Sequence, residues 1–257
     1  AVMATPLTVP LLAFDTSTEV LAVAAAGPHG TCAWNGAGGA AASARLVPQI
    51  GVVLERAGLA MADLAAIAFG SGPGAFTGLR TSCAVAQGLG LGLARPVLPL
   101  ASLLVVAEDA IEALPPTGAS QTVAVAMDAR MDEIYGGVYE HSAPGWRTLR
   151  APALYALADW NAVLEQQARS LHALAGSALN AFGARLCRPA GVPARPVETD
   201  RAAALLRLAR QAFEAGEAID AAQALPMYLR DKVALTTAER AAAKAAAGRA
   251  GELGAAA

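Results

Sequence analysis

Lysine is nearly missing from this chain of 257 residues: it occurs only at Lys232 and Lys244, so almost all the positive charge is arginine. The formal net charge is -2 and the pI is near 6.0. Gripping a polyanion requires a basic surface that displaces counterions, so this composition argues against the chain alone being the main hold on a nucleic acid, although a local arginine cluster stays open. Cysteine is equally scarce. Cys32, Cys83 and Cys187 are odd in number and far apart, which reads as buried thiols in a reducing cytosol rather than a disulfide framework. His29, His141 and His172 are isolated from each other and from any cysteine pair, so spacing supplies no metal set. Long hydrophobic runs are missing too. The most apolar region, Ala84 to Ala107, is interrupted by Gln87, Arg95, Pro96 and Pro99, and no membrane helix is expected. The N-terminus has no basic stretch before its apolar run and no cleavage pattern, so no signal peptide is expected, and the residues before Leu11 read as an unpaired leader. The expected location is the cytoplasm.

Hydrophobic residues make up 55% and charged residues 16% of the chain, which describes a globular protein with a sizeable core, in one large domain or two small ones. Alanine supplies much of that apolar fraction, so the mean hydropathy of +0.43 overstates membrane character.

The most informative segment is Gly72-Pro73-Gly74-Ala75-Phe76-Thr77-Gly78-Leu79-Arg80. It follows an apolar run, Leu64 to Phe69, that reads as a buried strand, and it leads into Leu79 to Leu93, which reads as a helix. A glycine-rich strand-to-helix turn can direct free N–H groups at an anion. Glycine also permits close backbone approach. The Walker pattern fails because Leu79 and Arg80 follow Gly78 where a lysine is needed, and the glycine spacing does not fit the dinucleotide pattern. In the following helix, Ala84, Gly88 and Gly92 recur every four residues and form a shallow stripe suited to close helix approach. Val85, Leu89 and Leu93 supply that helix with a core face.

The chain also contains an internal echo. Leu11 to Ala26 reads as strand, Asp15, polar turn, strand; Val123 to Glu140 reads the same way around Asp128. Two such units suggest a duplicated α/β domain, and the other reading is that apolar strands often end in Asp because Asp suits turns. Ser43 is placed to cap a helix over Ala44 to Ala57, with Leu46, Ile50, Val53, Leu54 and Ala57 on one face and Pro48 in its early turns. A strand is expected at Val97 to Leu100 and a helix at Ser102 to Leu114. Pro115-Pro116-Thr117-Gly118 marks the boundary. Beyond it, helices are expected at Ala158–Ala168, Ala178–Arg185 and Arg201–Gly216, a strand at Ala173–Gly176, and irregular chain at Pro189–Pro196. The expected organisation is an N-terminal α/β lobe over 1–116, a C-terminal α/β lobe over 117–237 and an Ala/Gly-rich disordered tail over 238–257.

Six segments, in this order and spacing, resemble the TsaB (YeaZ) family: Leu11-Leu12-Ala13-Phe14-Asp15-Thr16-Ser17-Thr18, Arg45-Leu46-Val47-Pro48, Ala57-Gly58-Leu59, the nonapeptide, Met127 to Tyr135, and Pro226-Met227-Tyr228-Leu229-Arg230. The resemblance covers roughly Leu11 to Ala234. It implies a two-lobed actin-like ATPase (RNase H-like) fold, with duplicated mixed sheets flanked by helices. It also implies a noncatalytic subunit that pairs with TsaD, the catalytic subunit moving a threonylcarbamoyl group onto tRNA adenosine, together with the ATPase TsaE. A second copy of the chain is the alternative partner, and tRNA is reached only through the complex. The two helices around Leu46, Ile50, Ala84, Gly88 and Gly92, with Phe76 and Arg80, are the implied partner contact. Family members often carry a His ahead of the Ser in the His-Ser-x-x-Leu-x-Pro segment; here that position is Ala42, so no role of that His carries over.

In actin-like ATPases a strand-ending Asp and a Gly-containing hairpin cradle phosphate and Mg²⁺. Asp15, Thr16, Ser17, Gly74 and Asp128 are the candidates for a degenerate version that takes ATP or ADP with Mg²⁺ at the partner interface. The turn lacks glycine, however, and Ser17 would crowd a phosphate. The competing reading is a capped hairpin in which Asp15 accepts turn N–H groups. At Asp128, Arg130, Asp132 and Glu133, paired carboxylates suggest acid–base or metal chemistry, whereas Arg130 between them suggests a surface ion pair. No catalytic residue and no metal ligand is assigned. The alternatives are an independent ATPase or small-molecule kinase and, behind it, a glycoprotease-like peptidase.

Overall fold

The computed structural model describes residues 9–143 and 145–230; the tail over 238–257 and residues 1–8 of the leader lie outside them. The first half of the described chain runs β1 (Leu11–Asp15), β2 (Val20–Gly27), β3 (Gly30–Ala37), α1 (Ala42–Ala57), β4 (Ala66–Gly72), α2 (Phe76–Leu93), β5 (Val97–Ala101) and α3 (Ser102–Glu112). The second half repeats the plan: β6 (Gln121–Asp128), β7 (Glu133–Ser142), β8 (Gly145–Ala156), α4 (Leu157–Gln167), β9 (Leu171–Ala175), α5 (Ala178–Phe182), β10 (Ala194–Arg195) and α6 (Arg201–Glu214). Each half forms a five-stranded sheet, ordered β3-β2-β1-β4-β5 and β8-β7-β6-β9-β10. In both, the first three strands are antiparallel neighbours and the other two run parallel to the first. This shared order and direction favour duplication over turn chemistry as the origin of the echo.

Strand alternation divides the first sheet into two unlike faces. Leu12, Phe14, Leu21, Val23, Ile67 and Phe69 point to the α1 and α2 side and pack with Leu46, Ile50, Val53 and Leu54. Ala13, Ala22, Ala24, Ala26, Ala66 and Ala68 line the opposite face, where Leu205, Leu206 and Leu208 of α6 pack. A face made largely of alanine methyls, with Leu11, Leu98 and Leu100 among them, lets a helix approach the sheet closely.

The helices that end the two halves are exchanged. The α3 residues Leu103, Val106, Ala107 and Ile111 pack on Val123, Val125 and Tyr139 of the second sheet, while α6 packs on the first. The strands of the first sheet all precede residue 116 and those of the second all follow it, while α6, late in the chain, packs on the first sheet. Two local expectations also change. α1 begins at Ala42 with Ala41 as its N-cap and no side-chain cap bond, so Ser43 lies inside the first turn. The segment from Ala178 is a five-residue helix followed by a separate 3₁₀ turn, Gly183–Arg185.

Candidate functional site

The glycine-rich segment and the β1–β2 turn meet at the end of the first sheet. The Ala75 N–H donates to Ser17 O at 2.8 Å, and Thr16 Oγ1 donates to Gly78 O at 2.6 Å. Thr16 N–H donates to Ser82 Oγ at 2.9 Å. A Cβ on Gly78 would lie 1.9 Å from Thr16 O, and one on Gly74 would lie 2.5 Å from Ser17 O. These two glycines are therefore required for close approach of backbone to backbone.

Asp15, Thr16 and Ser17 all turn into the protein, with relative exposures of 0%, 2% and 2%. Asp15 Oδ1 accepts from Ser17 N–H at 2.6 Å, the capped-hairpin arrangement. Asp15 Oδ2 accepts from Ser17 Oγ at 3.0 Å, from Ser102 Oγ at 3.4 Å and from Arg201 Nη2 at 2.5 Å. Room for the carboxylate comes from Gly70 on the neighbouring strand, where a Cβ would sit 2.1 Å from Asp15 Cγ. Arg201 also donates from Nη1 to Glu198 at 2.5 Å. One buried guanidinium thus serves two carboxylates. Desolvation works against the Arg201 cation, but the Coulomb attraction of Glu198 and Asp15 outweighs it and its pKa is raised. Burial pushes the Glu198 carboxyl up, against the pull of Arg201, with Asp109 and Asp15 adding to the rise.

The second hairpin is open by comparison. Asp128 Oδ1 accepts from Arg130 N–H at 2.8 Å, closing the turn. The Arg130 guanidinium lies 3.2 Å from Asp128 Oδ2 and 3.5 Å from Glu19 Oε1, so it bridges the two hairpins. Asp132 pairs with Arg185 at 2.6 Å, and this hydrogen bond lowers the Asp132 pKa. Arg130, Met131 and Asp132 all have left-handed φ values of 55° to 63°, three strained non-glycine residues in succession. Among the described residues, no group of three His, Cys, Asp or Glu side chains is placed to hold a metal ion.

At the start of α2, the Arg80 guanidinium stacks 4.0 Å from the Phe76 ring centroid. Farther along, Ala84, Gly88 and Gly92 all face outward, and a Cβ on Gly88 or Gly92 would meet nothing within 4 Å. The expectation for α1 needs correction. Leu46 and Ile50 are fully buried against the first sheet, because the apolar face that periodicity identifies is the face the sheet needs. The outward apolar residues of α1 are Val47 and Val52, 49% and 39% exposed. Leu91 of α2 is 59% exposed.

Sequence reasoning missed Arg201, Glu198 and Ser102. One signal was present: Arg201 is the first residue of a helix, where the dipole disfavours a cation, so it needed a buried anion to hold it there.

Two sheets of one order, each ending its first strand in an aspartate-closed hairpin, define a duplicated α/β protein of the actin-like, RNase H-like class. Comparison with known proteins narrows the class. A family model described as TsaD: tRNA N6-adenosine threonylcarbamoyltransferase matches residues 39–190. The tRNA threonylcarbamoyladenosine biosynthesis protein TsaB of Escherichia coli K12 is 31% identical over 235 residues, covering 87% of this chain and 96% of that protein. The Haemophilus influenzae protein of the same name is 38% identical over 125 residues, covering 49% of this chain and 51%, about half, of its own length. The solved structure of YeaZ from Pseudomonas aeruginosa superposes with a TM-score of 0.72 at 34% identity, covering 86% of this chain and 100% of that one. The chain belongs to the TsaB (YeaZ) family, within the broader group that the TsaD model describes. Among the described residues, no helix is long and apolar enough to cross a membrane.

Proposed function

We propose that this chain is a noncatalytic subunit in the formation of tRNA threonylcarbamoyladenosine, and that it supports TsaD by docking through the outer face of α1 and α2. The observation that carries the reading is a contrast. The aspartate that could serve a phosphate in an actin-like site has both oxygens engaged by Ser17, Ser102 and Arg201. On the other side of the first sheet, an apolar face of Val47, Val52, Ala84, Gly88 and Leu91 turns outward. Phe76 and Arg80 sit at one end of this face, with Gly92 at the other. The relatives' names support the reaction, and TsaD as the partner is part of the proposal. TsaE belongs to the same assembly in this reading, and a second copy occupies the face when TsaD is missing. The site of action is the cytoplasm, where tRNA is modified.

The test is a reconstituted reaction in which modified nucleoside is measured with TsaD and TsaE, with and without this chain. The yield is expected to collapse without it and to stay low with Gly88→Leu, which plants a bulky side chain on the docking face. An unchanged yield without the chain would falsify the role. ATP turnover by the chain alone that disappears in Asp15→Ala or Asp128→Ala would instead favour the independent-ATPase reading.

A further inference from the structure

After α6 the chain does not leave the first sheet. Residues Ala218–Met227 return along it as a strap. The Val97 N–H donates to Ile219 O and the Ile219 N–H to Val97 O, both at 2.9 Å, so the strap begins as a bridge on the free side of β5. It then follows α2. Ala221 packs against Gly90, where a Cβ would lie 2.6 Å from its own. Gln87 Nε2 donates to Ala222 O at 3.4 Å, and Cys83 Sγ donates to Ala224 O at 3.4 Å. Finally the Met227 N–H donates to Ser71 O at 2.6 Å, just before the nonapeptide. Ala221 and Ala224 are buried to 4% and 2% exposure and belong to the first core.

The helix being strapped needs outside support. α2 contains Gly78, Gly88, Gly90 and Gly92, and glycine is the weakest helix former after proline. Its buried residues are Leu79, Ser82, Cys83, Ala86 and Gly90, of which only Leu79 is large; Val85, Leu89 and Leu93 are only partly buried against the core. Such a helix keeps its place through neighbours rather than through intrinsic propensity. The strap touches it on successive turns, at Cys83, Gln87 and Gly90, and reaches the end of β4 that feeds it. None of these contacts involves the outward residues Ala84, Gly88 and Leu91.

We propose that the strap Ala218–Met227 is a positioning element for the partner face of α2, so that partner affinity depends on strap contacts that lie off that face. This rests on the docking reading above, and the experiment separates the two. Two variants loosen the strap: Ala224→Glu places a charge in the buried seat, and Met227→Pro deletes the N–H that bonds Ser71. Met227→Leu keeps that N–H and serves as the conservative control. Leu91→Arg alters the face itself. Amide exchange of peptides from α2 and α1 is measured on each full-length variant, and TsaD affinity is measured by calorimetry. Both loosening variants should speed exchange in α2 more than in α1 and weaken TsaD binding at least tenfold, with Met227→Leu close to wild type. Leu91→Arg should abolish binding while α2 exchange is unchanged. Normal binding by Leu91→Arg defeats the docking reading, and α2 exchange still judges the strap. Unchanged α2 exchange in the loosened variants, or faster exchange with wild-type affinity, overturns the proposal. If Ala224→Glu does not fold, Met227→Pro decides.

Discussion

At the scale of single residues, Arg201 holds the most consequential position. It is fully buried between Asp15 and Glu198, and removing it leaves two carboxylates in a low-dielectric site without a counter-charge. Breaking a buried pair by deleting one partner costs about 3–5 kcal/mol. Arg201→Met should therefore lower unfolding free energy by about that amount, measured by urea denaturation, and adding Asp15→Asn with Glu198→Gln should recover part of the loss. The triad also links folding to protons. Glu198 is pushed above its ordinary value of 4.5, so the folded state keeps a proton over an interval where the unfolded state has released it. Its stabilising contribution is full below 4.5 and declines as pH rises through the folded value. Glu198→Gln should flatten that decline in a series of denaturation curves at rising pH; an identical slope in variant and wild type would exclude Glu198 as the source. Asp15 was legible as a strand-ending, turn-closing residue because its Ser17 contact lies two residues away. Its Arg201 contact spans 186 residues, and no local pattern encodes such a distance.

At the scale of elements, the glycines of α2 divide into two kinds. Gly78 allows the helix start to touch the β1–β2 turn, where a Cβ would overlap Thr16 O. Gly88 faces open space. Gly78→Ala should destabilise the fold by forcing the two segments apart. Gly88→Ala should stabilise it by roughly 0.5–1 kcal/mol, because alanine is the better helix former and loses less entropy on folding. Thermal unfolding of both variants checks the signs, and a destabilised Gly88→Ala would place that residue in an unseen contact. Elements with strong periodicity were legible: α1, α2, α3, α4 and α6 follow the expected segments to within a few residues, as do β1, β2, β4 to β7 and β9. β3 and β8 were not. Gly30–Ala37, mostly small and polar around Trp34, and Gly145–Ala156, interrupted by Arg147 and Arg150, are edge strands, and an edge strand does not need the continuous apolar run that marks a buried one. Of the proposed partner face, the α2 stripe follows from its spacing, whereas the periodicity of α1 points to the face that packs on the sheet rather than to the isolated Val47 and Val52 on the other side.

At the scale of the whole molecule, charge sets what the chain can do for a tRNA. The net charge of -2 gives little counterion-release drive, and several arginines are already paired: Arg130 with Asp128 and Glu19, Arg147 with Glu140, Arg185 with Asp132, Arg201 with Asp15 and Glu198, and Arg207 with Glu108. Pairing leaves those guanidinium groups locally neutralised, so a cluster able to track a phosphate backbone is not assembled from them. A protein that neutralises Z phosphates loses affinity with salt at a slope of about -0.9Z for duplex nucleic acid. The chain alone should therefore bind tRNA weakly and without sequence preference, with a shallow salt slope set by one or two contacts. In complex with TsaD the binding should tighten, and the steeper salt dependence should be that of TsaD. Filter binding or anisotropy with labelled tRNA over a salt series, for the chain, for TsaD and for the two together, decides the matter. Tight, specific tRNA binding by the isolated chain at physiological salt would overturn this division of labour, because the nucleic acid would then be held here and not through the partner.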